Sequence, residues 1–144
     1  MNSTAIMTRD VVVVSPTVSV GAAGQLMNRL KIRHLPVIED RRLVGILSDR
    51  DLLKHGSGVA CAEAMTPAPV TCSPDSSVGR VAQLMLEHKI DSIPIVGPSG
   101  TLTGLVTSTD LLGLLVDREQ ARVLPFQFRL RLARSEGEAQ AIAA

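Results

Sequence analysis

The sequence predicts an α/β fold of two repeats, each β-α-β-β-α, packed sheet to sheet with pseudo-twofold symmetry, plus a C-terminal extension. Three observations predict it. First, the chain repeats itself. Ile6-Met7-Thr8 matches Ala64-Met65-Thr66, Ser15-Pro16 matches Ser73-Pro74, and Leu26-Met27 matches Leu84-Met85. His34-Leu35-Pro36-Val37 matches Ser92-Ile93-Pro94-Ile95 at the same offset of 58 (15 to 73). A fixed period of this size marks a duplicated supersecondary unit. Second, each copy alternates short β-branched runs with helical spacing of apolar residues. Third, 45% of the 144 residues are hydrophobic, yet there are two Phe and no Trp or Tyr. The core is therefore aliphatic, and the length suits one compact domain or two small lobes.

The elements follow in order. Val11 to Val14 is a short apolar run closed by Ser15-Pro16, which reads as a buried strand. Thr17 or Ser19 can cap the next helix, where Ala22, Ala23, Leu26, Met27 and Leu30 share one face. Arg33 to Ile38 and Leu43 to Leu47 are strands joined by a charged turn. Asp49 to Lys54 starts a second helix that ends near His55-Gly56-Ser57-Gly58. The second copy reads likewise. Val70 to Cys72 is a strand, and Val78, Val81, Ala82, Leu84, Met85 and Leu86 belong to a helix with a broad apolar face. Ser92 to Val96 and Leu102 to Val106 are strands, and a helix runs from Thr109 to about Arg118. By Ser48 and Thr107 the offset is 59 (48 to 107). The extra residue falls in the turn between matched strands, where a structural duplication tolerates it.

These readings set the boundaries at 1–60, 61–120 and 121–144. Neither half is large enough to bury both faces of its sheet alone, so the two are expected to pack face to face with two equivalent clefts between them. In the extension, Phe126, Phe128, Leu130 and Leu132 alternate with Gln127, Arg129 and Arg131, which predicts an amphipathic strand over 126–132. Such a strand would add to a sheet edge or pair with a second subunit. Ser135 to Ala144 is expected to fray.

The chemistry concentrates in Gly45-Ile46-Leu47-Ser48-Asp49-Arg50-Asp51 and Gly104-Leu105-Val106-Thr107-Ser108-Thr109-Asp110. Each runs from an aliphatic strand, through a hydroxyl residue, to a carboxylate three positions on. At a strand-to-helix turn this offers N–H groups and a hydroxyl to a phosphate and a carboxylate to a sugar diol. Asp51 and Asp110 equally suit a helix start with no ligand, as acids facing the macrodipole. Met27, Met65 and Met85 read as core filler.

Two copies of Met-Thr, Ser-Pro, a helix, a Leu-Pro-Val or Ile-Pro-Ile strand and Gly-x-x-[Ser/Thr]-x-x-Asp resemble tandem CBS domains, often called a Bateman module. The resemblance covers about residues 5 to 118. It implies adenine nucleotides or adenosyl compounds (AMP, ADP, ATP or S-adenosylmethionine) as regulatory ligands, and frequent dimerisation. It also implies that the Asp holds ribose hydroxyls while the Ser/Thr reaches ribose or phosphate.

Carried over by position, the first cleft draws on Arg33, His34, Ser48, Arg50, Asp51, Thr66, Ala68, Pro69 and Ser92. The second draws on Thr8, Asp10, Val11, His34, Thr107, Thr109 and Asp110. The family's phosphate-binding basic residues lie just before the Leu-Pro element. There the first copy has Arg33-His34 and the second Asp91-Ser92. Cleft one is thus expected to bind an adenine nucleotide. Cleft two is expected to take an uncharged adenosyl group, bind weakly or stay empty, unless Arg9 or Arg80 compensates for Asp91.

Other classes are disfavoured. A net charge of +1 and two aromatic residues give neither a field nor a stacking platform for nucleic acid. His34, His55 and His88 are scattered, as are Cys61 and Cys72, so no metal or other cofactor is expected. No apolar run suits a membrane helix and no targeting pattern opens the chain, so a cytoplasmic, stand-alone protein is expected. No nucleophile elbow, P-loop or zinc motif is present, and the expectation is a non-enzymatic sensor acting through a homodimer or an unidentified partner. The alternative is a constitutive dimerisation or interaction scaffold with vestigial clefts.

Overall fold

The computed structural model describes residues 1–116 and 129–144. The chain forms two compact units that do not follow the repeat boundaries. One comprises Met1–Val11 with Val70–Arg129; the other comprises Val12–Pro69 with Leu130–Ala144. We call them the N-terminal-exchanged unit and the central unit.

The central unit carries β1 (Asp10–Val14, from Val12 on), α1 (Val20–Leu30), β2 (His34–Glu39), β3 (Arg42–Ser48), α2 (Asp49–Leu52), α3 (Cys61–Ala64) and β4 (Thr66–Pro67). Its sheet order is β4-β3-β2-β1-β7, with β7 contributed by the extension. β1 is parallel to β2, and β2 is antiparallel to β3 from His34↔Ser48 to Glu39↔Arg42. Ser19 caps α1 by accepting from the Ala22 N–H at 3.1 Å. Val20, Ala22, Ala23, Leu26 and Met27 are buried on one side of α1. They join Val12, Val14, Leu35, Val37 and Leu47 in a core. The helix closes at Lys31 in the left-handed region (φ 56°), its N–H bonded to the Met27 carbonyl.

The other unit repeats this plan with α4 (Val78–His88), β5 (Ser92–Val96), β6 (Leu102–Thr107) and α5 (Ser108–Val116). Ser77 caps α4, and Lys89 closes it at φ 53°. Around the β5-β6 pair, Cys72 bridges Ile95 in parallel and Thr8 bridges Leu105 in antiparallel. The order Thr8, β6, β5, Cys72 therefore matches β4, β3, β2, β1. Its own core gathers Met7, Cys72, Val81, Leu84, Met85, Ile93, Ile95 and Val106.

The extra residue lies where the sequence put it. Asp40 and Arg41, at φ 49° and 66°, make the tight β2-β3 turn. The β5-β6 turn is longer and uses Gly100 at φ 82°. Equivalent register shifts follow at Val37/Ile38 and Ile95/Val96.

Three expectations change. Val70 to Cys72 is not a strand but a single bridge at Cys72; the Ser73 N–H goes to Ser76 Oγ at 3.1 Å, turning the chain away from the sheet. Leu86, read as part of the apolar face of α4, is 80% exposed. The end expected to fray forms α6 (Glu136–Ala143), capped by Ser135 and packed on α1 through Ala139, Ile142 and Ala143. Alanine-rich composition favours the helix, and burial of its small face fixes it. The alternating stretch is a strand over its described part, β7 (Arg129–Ala133), and it adds to the edge beside β1. Ala133 O accepts from Ser15 N at 2.7 Å. Phe126 and Phe128 lie outside the described residues.

Candidate functional site

At the end of β3 the chain turns directly into α2. Ser48 is extended (φ −107°, ψ 164°) and caps the helix. The Ser48 N–H donates to Asp51 Oδ2 at 2.8 Å, and the Ser48 hydroxyl donates to the same oxygen at 3.0 Å. In return, Ser48 Oγ accepts from the Asp51 N–H at 3.3 Å. This reciprocal box satisfies N–H groups that a helix start would leave unpaired.

The second copy reproduces it. Asp110 Oδ2 accepts from the Thr107 N–H at 2.8 Å and its hydroxyl at 3.1 Å. Thr107 Oγ1 accepts from the Asp110 N–H at 3.3 Å. In both copies one carboxylate oxygen is committed to the box and Oδ1 stands outside it. The hydroxyl proton is also committed, to Oδ2. The motif thus holds a carboxylate at fixed orientation, with one oxygen directed elsewhere, on a half-exposed turn. Asp110's carboxyl is pushed above the usual carboxylate range by burial, against the lowering effect of its bonds from Thr107.

The residue before the Leu-Pro strand is placed identically in the two copies. The Asp49 N–H donates to the Arg33 carbonyl at 2.9 Å, and the Ser108 N–H donates to the Asp91 carbonyl at 2.9 Å. Both side chains are exposed. One step along, His34 faces Ser48 across β2-β3, and Ser92 faces Thr107 across β5-β6.

The Met-Thr segments pair with each box-bearing strand from the other repeat. Thr66 lies opposite Ile46 on β4. Thr8 exchanges backbone bonds with Leu105, at 2.7 and 3.0 Å. Beside them, the equivalent glycines have no room for a side chain. A Cβ on Gly45 would meet Met65 Sδ, with Met65 Cγ at 2.8 Å; one on Gly104 would meet Met7 Sδ, with Met7 Cγ at 2.8 Å. Met65 packs against the core as its apolar character predicts, and its contact with Gly45 is a second role that composition alone does not announce. The signal was available, since Met and Gly recur in both copies at matching places. Ala68 adopts φ 43° immediately before Pro69, and its N–H reaches the Val44 carbonyl at 3.3 Å. Left-handed backbone before a proline is disfavoured.

Arg33, His34, Ser48, Arg50, Asp51, Thr66, Ala68 and Pro69 thus fall in the central unit. Thr8, Asp10, Val11, Thr107, Thr109 and Asp110 fall in the other, which also holds Ser92. Arg50 and Thr109 are exposed in the first turns of α2 and α5; Asp10 is exposed and Val11 buried at the start of β1. Cys61 and Cys72 are free and buried. Burial raises the Cys61 thiol to about 11. No cluster of potential metal ligands occurs among the described residues, and no described helix is long and apolar enough to cross a membrane.

A helix-strand-strand-helix unit present twice, with the same hydroxyl–carboxylate box in each copy, defines a tandem α/β module. A family profile for the CBS domain matches residues 4–58 and again 61–117, and the chain belongs to that family as a tandem pair. It is 31% identical over 121 residues to the CBS domain-containing protein YhcV of Bacillus subtilis, covering 80% of this chain and 86% of that one. It is 40% identical over 104 residues to inosine-5′-monophosphate dehydrogenase of Korarchaeum cryptofilum. That match covers 72% of this chain and 22% of the dehydrogenase, so the chain spans about a fifth of that relative's length. Among solved structures, CBSX2 in complex with AMP superposes with TM-score 0.76 at 29% identity, covering 83% of this chain and 98% of that one. The CBS domain pair of protein MJ0100, in complex with 5′-methylthioadenosine and S-adenosyl-L-methionine, gives TM-score 0.77 at 25% identity, with 83% and 98% covered. The cytosolic domain of the Mg2+ channel MgtE with ATP gives 0.71 at 29%, with 78% and 48% covered.

Proposed function

We propose that the chain is a regulatory, non-catalytic module that senses adenine nucleotides or adenosyl compounds through sites built on the two capping boxes. One observation carries this reading. Both copies hold an Asp by the same three bonds, with Oδ1 outside the box and a Met-Thr segment alongside. A fixed carboxylate oxygen suits a ribose diol, and each charge-assisted bond contributes about 1.5–3 kcal/mol. Complexes of similar CBS pairs with AMP, ATP and S-adenosylmethionine support the ligand class. Around the Asp51 carboxylate the ligand would meet Arg33, His34, Ser48, Arg50, Thr66, Ala68 and Pro69. Around Asp110 it would meet Thr8, Asp10, Val11, Thr107 and Thr109, with Ser92 opposite Thr107.

Occupancy would act through a partner or a second copy in the cytoplasm. A ligand biases such an equilibrium only by its differential affinity for the two states, and a coupling of about 1–3 kcal/mol is ordinary. A second reading, a constitutive interaction scaffold, is favoured by one feature. Leu112, Leu115 and Val116 on α5 are 61%, 66% and 83% exposed, and apolar helix faces of this kind seek cover.

Thermal melting with AMP, ADP, ATP and S-adenosylmethionine separates the readings. A ligand at 100 times its Kd adds about 2.7 kcal/mol to stability, so a sensor's Tm rises. A Tm indifferent to all four ligands leaves the scaffold.

A further inference from the structure

We propose that the C-terminal helix α6 is the output element of the Asp51 site: ligand held at the first box tightens the docking of α6 on α1, and the Asp110 site does not act on it. This rests on the adenosyl-sensing reading and adds the regulated element to it. α6 is a two-state element by its length. It has 8 residues (Glu136–Ala143), and a helix shorter than about 12–15 residues is marginal alone in water. It is therefore helical when docked and loses its helix when released. One small apolar face holds it, with Ala139 buried and Ile142 and Ala143 packed on the core around α1. Outside that face, Ser135 Oγ caps it by accepting the Glu138 N–H at 3.2 Å.

α1 joins the box to α6, and all three lie within the central unit. α2 follows β3, while α6 follows β7 on the far side of β2 and β1; both helices pack on α1. The link to the box is short. Leu52, next to Asp51, packs on the same core and reaches α1 at Gly24, where an added Cβ would lie 3.3 Å from Leu52 Cδ1. The first N–H of α2, on Asp49, donates to the Arg33 carbonyl just past the end of α1, at 2.9 Å. A ligand that fixes the Asp51 carboxylate thus orders α2 against α1, and docked α6 orders α1 as well. Two events that restrict one element lower each other's entropic cost. The second copy has the box and the helix pair but no such reader. There α5 packs on α4, and Arg80 stands at the place of Ala22. Ala22 is buried in the core that also holds Ala133 and Ala139. Arg80 is exposed and donates to Gln83 at 3.2 Å, which donates to Glu87 at 2.8 Å. A polar ladder replaces the small face, so α6 fits the first copy.

Hydrogen exchange of the full chain, with and without saturating AMP or S-adenosylmethionine, tests the proposal. The expected result is that ligand slows exchange of the α6 amides about fivefold or more. Asp110→Ala protein keeps the slowing and Asp51→Ala protein loses it, with circular dichroism checking the fold. Linkage requires the reverse effect. Ala139→Glu, which releases α6, should weaken calorimetrically measured binding at the Asp51 site by the same factor, read in the Asp110→Ala background. It should leave binding at the Asp110 site unchanged, read in the Asp51→Ala background. Should Ala139→Glu not fold, Ser135→Ala removes the exposed cap and leaves the core in place; it speeds α6 exchange and weakens binding in the same direction by less. Ligand that binds while α6 exchange stays unchanged, or that slows it equally through either site, overturns the coupling but leaves adenosyl sensing intact. Binding of neither ligand by the unsubstituted chain overturns both.

Discussion

At the scale of single residues, two groups sit in environments that cost stability. Burial raises the Asp110 carboxyl above its ordinary value of 3.8. The native state therefore holds a proton that the unfolded chain has already released, and protonation favours folding. This contribution is present below the ordinary value and is lost as pH rises through the raised one. Asp110→Asn removes the titration, so the difference in chemical-denaturation stability between variant and parent should vary with pH across that acid window and level off above it. An unchanging difference would show that burial of the charge carries no penalty. The second residue is Arg41, at φ 66° in a turn beside Asp40. Such turns favour Asp-Gly, so Arg41→Gly should stabilise the chain by about 0.5–1 kcal/mol, read as a higher denaturant midpoint. The strain at Arg41 was not legible in the sequence, because a charged turn states no dihedral angle. The Ser48–Asp51 and Thr107–Asp110 pairs were legible, because hydroxyl-x-x-acid before a helix is a local code.

At the scale of elements, the Met-over-Gly contacts hold each Met-Thr segment to its strand. Gly45→Ala or Gly104→Ala forces a Cβ against methionine atoms and should cost about 1–3 kcal/mol. Met65→Ala should restore part of the loss in the Gly45→Ala background, though not all, since the Thr66 carbonyl would still lie 3.0 Å away. Denaturation of the double-mutant cycle measures that coupling; strictly additive effects would contradict the contact. The capping Ser48 contributes separately, and Ser48→Ala should cost about 0.5–2 kcal/mol. Strands and helices were readable from periodicity because each has one buried face. Val70 to Cys72 misled because a short apolar run carries no information on its partners, and only Cys72 makes a bridge.

At the scale of the whole molecule, the duplication was plain in the sequence, whereas the repeat alone did not announce the exchange of segments; only the family resemblance set Thr66 with the first Asp and Thr8 with the second. A repeat shows which residues are equivalent, while packing decides which unit they join. Met7-Thr8 completes the unit of the second repeat, and Met65-Thr66 that of the first. The extension was half legible. Alternation announced β7, but α6 owes its order to Ala139, 1% exposed against the core around α1. Its small polar sequence gave no hint of that docking. Ala139→Glu would bury an unpaired charge and should lower the stability of the central unit by about 2–4 kcal/mol. Hydrogen exchange would show faster exchange of the α1 amides, and unchanged protection there would mean α6 is dispensable to that core.

The central claim is that two box-held carboxylates bind the sugar of an adenosyl ligand. Direct titration of the unsubstituted chain and of the Asp51→Ala/Asp110→Ala variant, with AMP and S-adenosylmethionine, tests it most directly. The account predicts saturable binding by the former and its loss in a folded variant; equal binding by both proteins would contradict it.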